Sequence, residues 1–219
     1  MADIATIINL WGIRCVILDL DGTLVDTLKV QVDAFLRTTK EMGVEVPRDQ
    51  IEQNMGRTAI DILRTIVPGI DGLELAYYAR RKEEILAELL GEARPLPGAV
   101  ELLRELKRCG LPVVLASSTT LWNVMKILQV SGLVEYIERM VTAEDVVLGK
   151  PNPDVFIKAA AKGGAEPRRS LVIGDSIHDI SAAIAAGCFT IAVASGMHTA
   201  EQLRELKPNL IVRGLTDLL

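Results

Sequence analysis

Two kinds of apolar pattern alternate along most of this chain. Short, nearly unbroken apolar runs at residues 15–18, 112–116, 140–142, 171–174, 189–194 and 210–212 read as strands buried on both faces. Between them, apolar residues recur every three or four positions. That spacing predicts helices over 98–109, 121–130, 154–162, 177–186 and 199–206. Strands that alternate with helices imply the α/β class, with a doubly wound, Rossmann-like parallel sheet covered by helices on both faces.

One stretch breaks the alternation. From 28 to 92 the period is helical throughout, with helices expected over 27–42, 47–55, 58–67 and 73–90. Gly43, Pro47 and Pro68-Gly69 supply the breaks. Strands return only after Arg94-Pro95-Leu96-Pro97-Gly98, whose prolines and glycine read as a hinge. The expected organisation is a core of residues 12–27 and 93–219, with a helical cap domain, 28–92, inserted after the first strand. Residues 1–11 fit either a short helix or an irregular lead-in.

Composition narrows the partners. With 49% hydrophobic residues in 219, the chain has material for a sizeable core. Its 24 basic and 29 acidic residues give a net charge of −5 with no basic block, which excludes an electrostatic nucleic-acid surface. No apolar run approaches the roughly 20 residues of a membrane span, and the first residues, with Asp3 and no basic group, do not resemble a secretory signal. Cys15, Cys109 and Cys188 are far apart in apolar settings, so buried thiols in a reducing compartment, the cytoplasm, are expected. Monomer and homodimer are both compatible with the sequence.

The polar residues at the strand ends carry the chemistry. The first strand runs into Asp19, Leu20, Asp21 and Gly22, so two carboxylates share one face. On its own the pair reads equally well as a turn with a helix cap and as a seat for a hard divalent cation that takes oxygen ligands. In a doubly wound sheet ligands bind beyond the C-terminal strand ends, so a functional pair predicts further reactive groups there. Three clusters qualify. Ser117-Ser118-Thr119-Thr120 offers hydroxyls and N–H groups for an anion, or a plain helix cap. Lys150 is set between Gly149 and Pro151 on a stiff base. Asp175 ends the fourth long run, and Asp179 follows one helical turn later on the same face. Carboxylates, hydroxyls and one lysine gathered at four strand ends point to a catalytic site.

DLDGTLVDT, LASST, GKPNP and GDSIHD, in that order, resemble the four motifs of the haloacid dehalogenase superfamily. The inserted helices resemble the cap of its phosphoglycolate phosphatase and β-phosphoglucomutase subgroup. The resemblance implies a magnesium-dependent phosphatase acting on a small phosphorylated metabolite, phosphoglycolate-like or a sugar phosphate. It implies Asp19 as nucleophile, Asp21 as general acid and then base, and Lys150 as the neutralising cation. Thr23, Ser117, Ser118 and Lys150 would bind the phosphoryl group. Magnesium would be held by Asp19, Asp21 through its backbone oxygen, Asp175 and Asp179. Arg57, after Gly56 in the cap, is expected to grip an acidic or phosphorylated substrate or else to be a surface arginine. The mutases of the subgroup carry a histidine where this chain has Gln31, which disfavours mutase activity. A non-catalytic phospholigand-binding regulator is a further alternative, disfavoured by the acid at Asp21. His178 is expected at the surface or behind the metal ligands, and Met197-His198 in a loop near the cap.

Overall fold

The computed structural model describes residues 3–91 and 93–219. Six strands, β1 (Cys15–Leu18), β2 (Val113–Ala116), β3 (Arg139–Val141), β4 (Ser170–Gly174), β5 (Phe189–Val193) and β6 (Leu210–Val212), form one sheet in the order β3-β2-β1-β4-β5-β6. All pairings are parallel. β1 is central, with Val16 opposite Val113 on one side and Leu171 on the other. The sheet is built outwards in two directions from β1 and β4, so the switch in winding falls between these two strands. That switch point, at the C-terminal ends, is where such sheets hold ligands.

The helices are α1 (Ile4–Trp11), α2 (Leu28–Glu41), α3 (Arg48–Glu52), α4 (Ala59–Ile66), α5 (Gly72–Leu89), α6 (Ala99–Arg108), α7 (Leu121–Val130), α8 (Asp154–Lys162), α9 (Ile177–Ala186) and α10 (Ala200–Glu205). β1 shows why its sequence is wholly apolar. Val16 and Leu18 enter one core cluster with Ile4, Leu102 and Ile127, whereas Cys15 and Ile17 enter the opposite one with Phe156, Ala159 and Ala182. Cutting Ile17 to alanine removes buried contacts on that second face, a change that typically costs about 2–5 kcal/mol.

α2 to α5 lie over the C-terminal ends of the strands. They build their own apolar cluster around Val32, Phe35, Ile51, Ile62, Leu63 and Leu75. α2 and α5 are shared, however, because Ala34, Ile85 and Leu86 pack into the main core. The two chain crossings beneath them are tied to each other. The Asp26 N–H donates to Arg94 O (2.9 Å) and the Leu96 N–H to Leu24 O (2.8 Å).

Local expectations are settled or revised. Residues 4–11 are helical, with Asp3 capping through Thr6 N and Gly12 closing the helix. α3 stops at Glu52 instead of running to Met55, because Gln53–Arg57 turns towards the site. Residues 215–218 add a short 3-10 turn. Cys15 and Cys188 are buried free thiols, whereas Cys109 at the end of α6 is half-buried. Among the described residues no helix is long and apolar enough to cross a membrane.

Candidate active site

Each strand end delivers its polar group to the switch point. Asp19 follows β1 directly, and its N–H still pairs with Ile173 O of β4 (3.0 Å). Asp175 follows β4, and Asp179 sits in the first turn of α9, where it exchanges capping bonds with Ser176. Lys150 enters from the 149–153 turn and is 1% exposed. Its Nζ lies 2.6 Å from Asp19 Oδ1 and 2.7 Å from Asp179 Oδ1, and donates to Ala116 O at 2.8 Å.

The electrostatics follow from burial. Three buried carboxylates, Asp19, Asp175 and Asp179, surround a single ammonium. Burial pushes Asp19 up to about 7, with the Asp179 charge adding to the rise and Lys150 opposing it. Burial, then Asp19 and Asp179, holds Asp175 well above the carboxylate range, although Thr23 hydrogen-bonds its charged form. For Lys150 burial works against the charge, but Asp179 and Asp19 outweigh it and raise the ammonium. One cation serving two acids keeps its own proton and leaves the acids under-compensated.

The same surplus of negative charge tests the fit of a metal ion. One oxygen from each of Asp19, Asp175 and Asp179 lies within 4.8 Å of the others. A buried, all-carboxylate set of this kind matches a hard divalent cation. The Asp21 side chain does not join it.

Asp21 is turned to a different environment. Thr27 Oγ1 (2.5 Å) and Gln31 Nε2 (2.9 Å) donate to Asp21 Oδ1, and Thr119 Oγ1 (2.8 Å) donates to Oδ2. Ser117 Oγ lies 3.4 Å from the same Oδ2. The carboxylate is thus held by neutral donors, while its neighbour two residues earlier is held by a cation.

The other expected residues divide. Ser117 is buried beside Asp21, and Ser118 Oγ donates to Gly56 O of the cap (2.7 Å). Thr23 is fully buried, and its Oγ1 donates to Asp175 Oδ1 (2.7 Å), so its side chain steadies a carboxylate of the cluster. Arg57 lines the pocket. Its Nη1 donates to Asn54 Oδ1 (2.8 Å) and Thr65 Oγ1 (3.1 Å), its Nε is buried without a partner, and among the described residues no carboxylate pairs with it.

Gln31 and Lys82 also line the pocket. Lys82 Nζ donates to Gln31 Oε1 (2.6 Å) and pairs with Glu83 (2.9 Å), which in turn accepts from Asn123 of α7 (2.6 Å). Lys82 was not anticipated, and Gln31 was read only as a missing histidine. The signal was present: each occupies a core-facing position in an apolar stripe, Gln31 among Leu28, Val32 and Phe35, and Lys82 among Leu75, Ala79 and Leu86.

The cap rests against the core. Gly56, at φ +101°, approaches so closely that a Cβ there would lie 2.5 Å from Ser176 Oγ. Between cap and core a cavity of ≈ 20 Å³ remains, room for little more than one water molecule.

The winding switch of an α/β sheet here gathers a lysine and three buried carboxylates beneath helices α2 to α5. Residues 16–193 match the model of the family described as "Haloacid dehalogenase-like hydrolase", and the chain belongs to that family. It is 30% identical over 204 residues to a phosphoglycolate phosphatase of Agrobacterium fabrum, covering 90% of this chain and 86% of that protein. It is likewise 30% identical over 215 residues to the β-phosphoglucomutase of Bacillus subtilis, covering 94% and 91%. Among solved structures, a hydrolase from Pseudomonas syringae superposes with a TM-score of 0.88 at 28% identity, over 94% of this chain and 95% of that one. The phosphatase class implied by the four motifs stands.

Proposed function

We propose that the protein is a magnesium-dependent phosphatase of a small phosphorylated metabolite that carries a second anionic group, such as a phosphorylated hydroxy acid. The observation that carries this reading is the separation of Asp19, paired with Lys150, from Asp21, held by hydroxyls and an amide. A site that only bound phosphate has no use for a second carboxylate kept free of the cation cluster.

In this reading an Asp19 oxygen attacks phosphorus in line, and the bond from phosphorus to the leaving oxygen breaks with its electron pair on that oxygen. Asp21 gives its proton there, and the alcohol departs. Asp21 then takes a proton from water, whose oxygen attacks the phosphorus of the aspartyl-phosphate. The bond to Asp19 breaks, releasing inorganic phosphate and restoring the carboxylate. Lys150 offsets charge on the nucleophile and the phosphoryl oxygens, to which the Ser117 hydroxyl and the Ser118 N–H would donate. Asp19, Asp175 and Asp179, with the Asp21 backbone oxygen, would hold magnesium, whose charge lowers the repulsion between two anions. Helices in 28–92 act as a lid that excludes water.

Arg57 supports the substrate class. A guanidinium with neutral partners and a buried, unbonded Nε, lining the same cavity as Asp19, suits an anion on the organic part of the substrate. Gln31 is bonded at both ends and supports hydrolysis over the mutase reaction. The free thiols fit a reducing, cytoplasmic setting.

The test is turnover. With magnesium, the protein should hydrolyse p-nitrophenyl phosphate and favour acidic phosphate monoesters in a metabolite panel. Asp19→Asn should lower kcat by at least about 10³-fold, as loss of a covalent nucleophile does. Absence of magnesium-dependent phosphate release from every panel member contradicts the reading.

A further inference from the structure

One turn in contact with both halves of the site lies outside the four motifs. Residues Ser195–His198 follow β5, on the edge of the switch point. Ser195 Oγ donates to Gly22 O (2.7 Å), which fastens the turn to the loop that carries Asp19 and Asp21. Gly196 lies so close to the buried Asp175 carboxylate that a Cβ on it would stand 1.8 Å from Oδ2. No L side chain fits there without displacing Asp175.

The other end of the turn belongs to the cap side. Met197 packs against the cap's own apolar cluster. His198 is buried, and its Nε2 lies 3.3 Å from Gln53 O. The carbonyl only accepts, so Nε2 carries the proton. The His198 ring meets the His178 ring edge to face (centroids 5.6 Å apart, 86° between planes), so His178 on α9 fixes its direction. Gln53 opens the turn that delivers Gly56 to Ser118 and Ser176.

We infer that the Ser195–His198 turn is a positioning element of the active site: Gly196 seats the Asp175 carboxylate, while Met197 and His198 receive the cap in its closed position. It deepens the phosphatase reading by supplying what aligns a carboxylate of the cation site and what catches the lid. Its readouts below do not depend on turnover, so its failure is distinguishable from failure of that reading.

The turn has two ends, and each has its own variant in the full-length protein. Gly196→Ala should weaken magnesium binding, measured by titration calorimetry, about 10–100-fold, the loss typical when a group behind a metal ligand is altered. His198→Phe keeps ring and volume but removes the bond to Gln53 O. It should leave magnesium affinity within about twofold of wild type while raising amide hydrogen exchange across residues 53–58 about fivefold or more, the worth of one hydrogen bond. If Gly196→Ala does not fold, Ser195→Ala must show the loss of magnesium affinity in milder form, about threefold or more. The proposal is overturned if the variant read at the first end binds magnesium as wild type does. It is equally overturned if His198→Phe leaves exchange in 53–58 unchanged, or loses magnesium affinity as strongly as the variant at the other end.

Discussion

Asp19 and Asp21 are the same residue type two positions apart, yet the chain gives them opposite surroundings. Asp19 is buried against Lys150 in a pocket shared with two more carboxylates. Asp21 is half-buried and receives hydrogen bonds from Thr27, Gln31 and Thr119. The first arrangement concentrates negative charge around one ammonium. The second fixes the direction of a carboxyl group with neutral donors. In the proposed reaction, environment and not residue identity would divide nucleophile from proton carrier.

The sharpest way to break this comparison is to remove the proton carrier and vary the leaving group. Asp21→Asn should slow an alkyl phosphate about 10²–10⁴-fold, the usual worth of general acid–base catalysis. p-Nitrophenyl phosphate, whose leaving group needs little protonation, should lose much less. Equal losses on both substrates would show that Asp21 acts through something other than the leaving oxygen.

A smaller effect tests the donors that hold it. Gln31 fits its place because an amide accepts from Lys82 at one end and donates to Asp21 at the other. Gln31→Leu should lower kcat on alkyl phosphates about tenfold, the worth of a hydrogen bond to a charged group, with KM nearly unchanged. An equal loss on both kinds of leaving group would make Gln31 merely structural.

The smallest effect concerns stability. In the absence of a cation, Asp19 at about 7 and Asp175, which is likewise raised by burial, keep protons that the unfolded chain, near 3.8, has released. Folded stability contributed by these groups therefore falls as pH rises from about 4 to about 7. Magnesium needs the deprotonated carboxylates, so the gain in Tm on adding saturating magnesium should grow by a few degrees over that window. A gain independent of pH would place the cation elsewhere.

The sequence made one half of this comparison more legible than the other. Asp19, Asp175 and Asp179 follow strands or open a helix, and the period of those elements places them, whereas Lys150 stood out by its place between Gly149 and Pro151. The partners of Asp21 come from a helix face and a loop, and which groups meet depends on how α2 and α5 settle over the strand ends. Gln31 and Lys82 were visible as polar residues in apolar stripes, but nothing local told what they faced. Thr23 sits in a tight turn, where no repeating period fixes side-chain direction, and so its role as a support for Asp175 was missed. Helix α1 had its cap in Asp3 and its apolar spacing in Ile4, Ile7 and Ile8, yet eight residues are short enough that packing against α6 decides their structure.

The division between the two acids has one direct measurement: magnesium affinity by calorimetry in Asp175→Asn and Asp21→Asn, each compared with wild type. Asp175 offers a side-chain oxygen to the cluster and Asp21 does not. The account predicts about a 10-fold or greater loss for Asp175→Asn and a change within about threefold for Asp21→Asn. A loss in Asp21→Asn as large as that in Asp175→Asn would contradict it.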